Sequence, residues 1–495
     1  MGAEVNIETE AAAGAERMAW RDQVRSAVIW RSGTQIVGQM IAWASTFLVI
    51  RILAPSDYGL FAMTQVILVL LNLLNGYGLA SALIQKPDVT VRDMRQALGM
   101  LIVLNLVLAL LQIALAPVAA TYYRQEAVAD LLRVQALLYL PTPFIAFSYA
   151  LLARKMDFRR QAQVNLGSAV AGALAALGGA LAGWGVWTLV FASIVLFTTR
   201  AIGLVWAARS LMWPSFDFRG AGTMARYGGL IAAGQLFTFF ETQADVLVAG
   251  RLFSPHDVGI YTAGLLLTQI FNNKFVPPLN DVAFSAFARI QEDKAAVARA
   301  FAAAVRAIMV CAFPFFLGLA VVAEPLVLVV LGEKWRESAG IIQLLGVAMP
   351  FMTLFVIFPP ALNALGRPGI SARNAALGAV LLPIAVLVGS QWGIRGIAAA
   401  WIVSYPIQLS IAAAWTLPVL GLAVKDYLRA IAPPAAAAVA MAALVMIVDL
   451  ELAPAAPVPR LALLVTVGAA AYAGWLLLFA REMLSELAAM VRRRG

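Results

Sequence analysis

The sequence has little of what reactive or cross-linking chemistry requires. It contains one cysteine, Cys311, and one histidine, His256, among 495 residues. A disulfide within the chain needs two cysteines, and a cysteine metal site needs several, so both are excluded. Charged residues are also scarce, at 13% against about 25% in soluble domains. The chain therefore lacks the polar surface of an ordinary soluble protein.

Apolar residues dominate instead. They make up 62% of the chain, and the mean hydropathy is +0.86. Apolar runs of about 20 residues recur from Ser26 onward, and each can cross a hydrocarbon core of about 30 Å as a helix. The sequence therefore predicts an all-α polytopic membrane protein with about fourteen transmembrane helices. The predicted spans include 131–153, 258–286 and 338–364.

The formal charge of +10 could indicate a nucleic-acid partner. The basic residues, however, lie in short connections between apolar runs rather than along one stripe. The positive-inside rule explains that distribution and places both termini in the cytoplasm. We therefore predict no nucleic-acid partner.

One string occurs twice. "VIRILAPSDYGLFAM" returns about 200 residues later as "AGRLFSPHDVGIYTA". Each copy predicts the end of one helix at Arg and the start of the next at Pro, with Asp in its first turn. Ser254 can cap the second helix start, whereas Ala54 has no side-chain acceptor. The residues shared in register are Arg51, Pro55, Asp57 and Gly59 with Arg251, Pro255, Asp257 and Gly259.

Two further matches follow in the same order, Pro143-Phe144 with Pro350-Phe351 and Trp184-Gly185 with Trp392-Gly393. They predict a duplicated half, with two parallel six-helix repeats, or lobes, around a central cavity and two helices added at the C-terminal end. The predicted divisions are a cytoplasmic tail (1–25), an N-lobe (26–215), a linker (216–227), a C-lobe (228–420) and spans 13–14 with a basic tail (421–495).

Four strings in order resemble a known family: "RILAPSDYGLFAM", "ADVLVAGRLFSPHDVGIYTAG", "FSAFARIQEDKAAVARAF" and "LGEKWRESAGIIQLLGVAMPF". The chain resembles the polysaccharide transporter (Wzx/PST-type oligosaccharide flippase) branch of the multidrug/oligosaccharidyl-lipid/polysaccharide exporter superfamily. The resemblance implies a non-enzymatic flippase of the bacterial inner membrane. Its implied cargo is an undecaprenyl-diphosphate-linked oligosaccharide, moved from the cytoplasmic to the periplasmic leaflet for surface polysaccharide. Membrane lipids and a polysaccharide polymerase or chain-length machinery are the implied partners.

Polar residues inside the predicted spans are the candidate site residues. A diphosphate and its sugars need a basic, protein-lined path, so Lys274, Arg200, Gln35 and Asn273 are candidates for substrate binding. Two alternatives stay open for the cations. Lys274 can snorkel to the interface or neutralise Asp281, and Arg200 can also reach the interface.

Glu241 and Asp245 lie four residues apart on one helix face. Two such acids repel each other unless a cation or proton lies between them. They are candidates for ion coupling, driven by a proton or sodium gradient, with no other cofactor expected. In the alternative reading, Asp245 caps a helix or pairs with Arg251.

Three other functions remain as alternatives. A related lipid II flippase and a MATE-like drug or cation antiporter share the predicted two-lobed design. A membrane glycosyl polymerase needs a sizeable external loop with acid/base or metal residues, which the sequence does not offer.

Overall fold

Helices account for every regular element of the chain that the structure, a computed structural model, describes. The described residues are 38–73, 83, 89–217, 222–452 and 454–479, with backbone alone for 222–235. Gln35 lies outside them. The all-α prediction is confirmed for this part of the chain. The helices are α1 (Gly38–Ile52), α2 (Pro55–Asn72), α3 (Val91–Tyr123), α4 (Glu126–Gln135), α5 (Thr142–Arg154), α6 (Phe158–Leu181), α7 (Trp187–Ala208), α8 (Gly222–Leu252), α9 (Pro255–Lys274), α10 (Val276–Arg289), α11 (Lys294–Val321), α12 (Ala323–Val330), α13 (Ser338–Val356), α14 (Phe358–Ala364), α15 (Pro368–Gly389), α16 (Gly393–Leu420), α17 (Val424–Leu452) and α18 (Pro457–Phe479).

Nine helical stretches among the described residues are long and apolar enough to cross a membrane. One of them, Pro368–Leu420, has 53 residues and contains both α15 and α16. A short 3₁₀ turn, Ser390–Trp392, separates the two helices, and α16 begins at Gly393 with a φ of +78°, a conformation that favours glycine. The chain is therefore a multi-pass membrane protein, and its total of about fourteen crossings stays a prediction.

Prolines divide three of the predicted spans. The predicted span 258–286 contains two helices, because α9 ends at Lys274 and α10 begins at Val276. Pro277 and Pro278 lack the N–H groups that would continue the hydrogen-bond ladder of α9. Span 338–364 divides in the same way, where α13 ends just before Pro359 and Pro360. In span 131–153, a short 3₁₀ turn separates α4 from α5.

The chain forms two compact units. The N-terminal unit comprises Met1–Leu53 and Ile67–Ala233, and the C-terminal unit comprises Ala54–Val66 and Gly234–Gly495. In the N-terminal unit, α6 packs along α7. A Cβ on Gly172 of α6 would lie 2.9 Å from the Leu196 Cβ of α7, so this glycine permits the close contact between the two helices.

The second copy of the repeated string begins a helix as predicted. Ser254 accepts a hydrogen bond from the Asp257 backbone N–H at 3.2 Å, and the Asp257 carboxylate accepts one from the Ser254 backbone N–H at 3.2 Å. This reciprocal pair is a capping box. The first copy has only half of it, because Ala54 donates its N–H to Asp57 and offers no side-chain acceptor in return.

The two copies also contact each other through their glycines, within the C-terminal unit. A Cβ on Gly59 would collide with the carbonyl oxygen of Pro255 and lie 2.9 Å from the Gly259 nitrogen. A Cβ on Gly259 would collide with the Pro55 carbonyl oxygen in the reciprocal way. Only residues without a Cβ allow the two helix starts to approach so closely. The repeated glycine is therefore a requirement of the contact between the two copies.

An ion-pair network joins α18 to the rest of the C-terminal unit. Arg460 at the start of α18 forms two parallel bonds with Asp449 of α17, at 2.7 and 2.8 Å. It also contacts Glu324 of α12 at 3.3 Å, and Glu324 lies 3.6 Å from Arg336. Both Arg460 and Asp449 are mostly buried. The planar guanidinium fork thereby fixes where α18 begins.

We expect Arg460→Ala to destabilise the protein by about 1–2 kcal/mol, because it leaves the mostly buried Asp449 without its partner. The measurement is the thermal unfolding midpoint of the purified protein in detergent. Arg133→Ala is the matched control. It removes an exposed pair with Asp130 at 2.8 Å, for which we expect less than about 1 kcal/mol. Equal midpoints for the two variants would contradict a stabilising role of the network.

Candidate functional site

A carboxyl–amide pair lies inside the C-terminal unit. The Gln408 amide of α16 donates a hydrogen bond to Glu241 Oε1 of α8 at 3.0 Å. Gly378 of α15 lies against both groups, since a Cβ there would come within 2.6 Å of the same Glu241 oxygen. Three helices, α8, α15 and α16, therefore meet at the Glu241 carboxyl.

The second acid of α8 is fully buried. Asp245 has 0% exposure and accepts a hydrogen bond from the Tyr261 hydroxyl of α9 at 2.6 Å. Its other oxygen lies 2.7 Å from the Val246 backbone N–H. Tyr261 is itself buried, as is Tyr405 of α16. Asp245 is thus enclosed by aromatic side chains rather than exposed at a helix end.

The groups that bond to the two acids in the described part of the chain are neutral. Among the residues that the structure describes, no Lys or Arg forms an ion pair with Glu241 or Asp245. The hydrogen bonds to both carboxyls come from neutral donors, an amide, a hydroxyl and a backbone N–H. Burying a carboxylate without a counter-charge costs several kcal/mol, on the order of 2–5. The arrangement therefore favours either a bound proton or a bound monovalent cation.

Two buried oxygens near this face have no hydrogen-bond partner within the described part of the chain. They are the Gln408 Oε1 and the Ser404 Oγ, which lie one turn apart on α16. Buried polar atoms are normally paired, and these two oxygens belong to the helix whose Gln408 amide bonds to Glu241. Carboxylate, amide and hydroxyl oxygens are the donors that a hard cation such as sodium prefers. The donor set of α16 and α8 fits such an ion.

A second polar pocket lies in the N-terminal unit and has a volume of about 420 Å³. Arg200 of α7 lies at its wall, where its Nε is 3.4 Å from the Ser168 hydroxyl and its guanidinium lies 5.9 Å from the centre of the Phe197 ring. Gln39, Gln161 and Asn165 line the same pocket. One guanidinium with several amides can bind phosphate oxygens and sugar hydroxyls.

The remaining sequence candidates lie at the end of α9 in the C-terminal unit. Lys274 is its last residue, and Lys274 and Asn273 are both exposed. Their neighbour Asn272 points the other way, where its side-chain oxygen accepts a hydrogen bond from Thr353 of α13 at 2.7 Å. Among the described residues Lys274 forms no ion pair with Asp281. Asn272 therefore fixes the orientation in which Lys274 faces outward.

Sequence reasoning singled out Glu241 and Asp245 but missed their partners. Tyr261, Gln408 and Gly378 lie on three other helices, so no short-range pattern connects them to α8. One signal was available. Ser404, Tyr405 and Gln408 interrupt an apolar run in "WIVSYPIQLS", and polar residues inside a membrane span are functional candidates by default.

Comparisons with known proteins identify the family and the fold. A family described as "Polysaccharide biosynthesis protein" matches residues 48–340. The succinoglycan biosynthesis transport protein ExoT of Rhizobium meliloti (strain 1021) is 26% identical over 352 residues, which are 71% of this chain and 71% of ExoT.

Two solved structures share the fold. The lipid II flippase MurJ, in an inward closed conformation, has a TM-score of 0.76 at 12% identity and covers 92% of this chain and 100% of its own. An inward-facing multidrug resistance MATE family transporter of the MOP superfamily has a TM-score of 0.60 at 14% identity and covers 80% of this chain and 98% of its own.

Proposed function

Since this chain belongs to the polysaccharide biosynthesis protein family, we propose that it is a flippase for a lipid-linked oligosaccharide. The cargo is an undecaprenyl-diphosphate-linked repeat unit, which moves from the cytoplasmic to the periplasmic leaflet for surface polysaccharide. The observation that carries the proposal is the family match together with a transporter fold that extends over most of the chain. The relative in Rhizobium meliloti is named as a transport protein and not as an enzyme.

The N-terminal pocket suits the polar part of this cargo. A diphosphate and sugars cannot enter hydrocarbon without losing their hydration, and Arg200 with Gln39, Gln161 and Asn165 can replace it. Lys274 and Asn273, both exposed at the end of α9 in the C-terminal unit, stay candidates for substrate binding in this proposal. The predicted architecture is still two parallel six-helix lobes with two added helices. The predicted mechanism is alternating access to the two sides of the membrane.

Glu241 and Asp245 are the coupling site of the proposal. A sodium ion or a proton neutralises the two carboxyls, and its binding and release are linked to the conformational cycle. The hydrogen bonds to Gln408 and Tyr261 support this role. Through them, binding of an ion or proton at the carboxyls of α8 can change the contacts of α8 with α16 and α9. No other cofactor takes part in the proposed cycle.

One further function is favoured by a specific observation. The two acids of α8 suit an organic cation, as in an antiporter for drugs, and the MATE-type fold is compatible with that use. The Arg200 pocket argues against it, since a guanidinium repels a cationic cargo. Transport of a labelled organic cation distinguishes the two proposals, because the flippase should not move it.

We propose that the protein lies in the bacterial inner membrane with both termini in the cytoplasm, as the basic connections predict. In that membrane the translocated repeat units pass to a polysaccharide polymerase and the chain-length machinery. Deletion of the gene should abolish surface polysaccharide and leave the lipid-linked repeat unit in the cytoplasmic leaflet. A normal periplasmic supply of the repeat unit in the deletion strain would refute the proposal.

Replacing Arg200 by Ala should lower the initial rate of transport about ten- to hundredfold, because a charge-assisted hydrogen bond to phosphate contributes about 1.5–3 kcal/mol. Arg200→Lys should recover part of the rate, since it keeps the charge and loses the planar fork. The measurement is complementation of the deletion strain, quantified as surface polysaccharide per unit of membrane-inserted protein. Arg159→Ala, which changes an exposed cation outside the pocket, serves as the control. Equal losses in the Arg200→Ala and Arg159→Ala strains would contradict the assignment.

A further inference from the structure

The segment that follows α7 crosses the beginning of α3 in the N-terminal unit. We call residues 210–217, "SLMWPSFD", the strap. It has no regular secondary structure, yet its polar groups are bonded to α3. The Ser215 N–H donates to the Arg95 carbonyl at 2.9 Å, and Arg95 Nε donates to the Trp213 carbonyl at 2.9 Å. Two bonds hold Asp217: its carbonyl accepts from Gln96 at 2.7 Å, and its carboxylate pairs with Arg92 at 3.0 Å.

Gly99 permits this close position of the strap. A Cβ on Gly99 would collide with the Ser215 carbonyl oxygen and lie 2.9 Å from its carbon. At the other end of the strap, the Ser210 hydroxyl is buried and lies 2.7 Å from that of Ser148. Met212 packs against the apolar core around Leu98 and Phe147. The strap is therefore a fixed part of the N-terminal unit.

The outward face of the strap is apolar. Leu211 and Trp213 are each 83% exposed and Phe216 is 58% exposed, while the alternate residues Ser210 and Met212 point inward. Trp206, in the last turn of α7, is 84% exposed at the same end of the unit. We call Trp206, Leu211, Trp213 and Phe216 the aromatic patch. The strap's backbone groups are hydrogen-bonded to α3, so its conformation is fixed while these large apolar side chains stay exposed. A contiguous exposed apolar surface of this kind indicates contact with lipid or another molecule.

The surroundings of the aromatic patch identify its partner. The patch continues the outer surface of α7, which is one of the membrane-spanning stretches, at the point where that helix ends. Exposed Arg92 lies at the strap, and exposed Arg160 reaches the last turn of α7 by a 3.4 Å bond to the Ala207 carbonyl. Tryptophan and arginine together are typical of the boundary between acyl chains and anionic headgroups.

We propose that the strap is an interfacial anchor, whose aromatic patch inserts into the headgroup boundary of the bilayer while its polar side holds α3. Under the predicted topology this is the cytoplasmic leaflet. This inference concerns the attachment of the protein to lipid and does not depend on which cargo is transported.

The test is a depth measurement on the full chain. The single Cys311 is replaced by Ser, and Leu211→Cys and Trp213→Cys are each labelled with a nitroxide in vesicles of phosphatidylethanolamine and phosphatidylglycerol. Leu211→Cys retains Trp213, so one variant keeps the tryptophan anchor. Leu174→Cys, exposed on α6, provides the lipid reference, and Glu292→Cys, exposed in a connection, provides the aqueous reference. Collision with oxygen and with a water-soluble nickel complex gives the depth.

We expect both strap labels to lose most of the nickel accessibility seen at Glu292 and to gain oxygen accessibility toward that seen at Leu174. Nickel accessibility equal to that at Glu292 would place the strap in water and overturn the proposal. Labels shielded from nickel and oxygen alike would show that protein, such as a second copy of this chain, covers the aromatic patch, and would overturn it equally.

Discussion

Replacing Glu241 by Gln should weaken the ion dependence that we propose for transport, while the fold remains intact. The amide has the shape of the carboxyl and can still bond to Gln408, but it carries no charge to hold a cation or proton. Because interactions with a charged group contribute about 1.5–3 kcal/mol, the apparent cation affinity should fall about ten- to hundredfold. The measurement is initial transport rate against cation concentration, at fixed pH for sodium and across pH for protons.

Asp281→Asn is the matched control for this variant. Asp281 is an exposed acid of α10 in the same unit, and its removal should leave the ion dependence unchanged. Asp245→Asn should resemble Glu241→Gln, since the two carboxyls lie on one face of α8 and share the same shortage of counter-charge. Unchanged cation dependence in both Glu241→Gln and Asp245→Asn would exclude the acids as the coupling site.

Replacing Gly259 by Ala should strongly destabilise the C-terminal unit. The new Cβ meets the Pro55 carbonyl oxygen, and backbone at the start of a helix cannot move aside as a flexible side chain can. Overpacking of this kind typically costs about 1–3 kcal/mol, and contact with backbone lies at the upper end. The thermal midpoint in detergent and the transport rate should fall together. Gly59→Ala should behave in the same way, because the contact is reciprocal.

Gly178→Ala is the control for the variants at Gly59 and Gly259. Gly178 lies in helix α6 with nothing within 4 Å of its added Cβ. Alanine is the better helix former, so this change should be neutral or stabilising by up to about 1 kcal/mol. If Gly259→Ala were as stable as Gly178→Ala, the close contact between the two copies of the repeated string would be wrong.

Periodic and local features of this fold could be predicted from the sequence. The apolar runs indicated a helical membrane protein, and Ser254 with Asp257 indicated the helix start that the structure contains. The breaks at Pro277 and Pro359 were harder to predict from the sequence, because a membrane helix can either bend at proline or end there. What distinguishes the two outcomes is packing against other helices, which short-range patterns do not record.

The candidate site was only half predictable for a related reason. Glu241 and Asp245 stand out because charge is rare inside apolar runs. Their neutral partners Tyr261 and Gln408 are ordinary residues for a buried helix, and only the fold brings them to α8. Lys274 also looked central in the sequence, whereas its place at the exposed end of α9 follows from the proline break behind it.

The most direct test of the central claim is a leaflet-resolved assay with the purified full chain in vesicles. A lipid-linked diphosphate oligosaccharide with a fluorescent sugar is placed in both leaflets, and a membrane-impermeant reductant quenches the label in the outer leaflet. We expect nearly complete quenching with the protein present and about half quenching in protein-free vesicles. Glu241→Gln should remove any acceleration by an imposed ion gradient. Half quenching with the wild-type protein, with and without a gradient, would contradict the account.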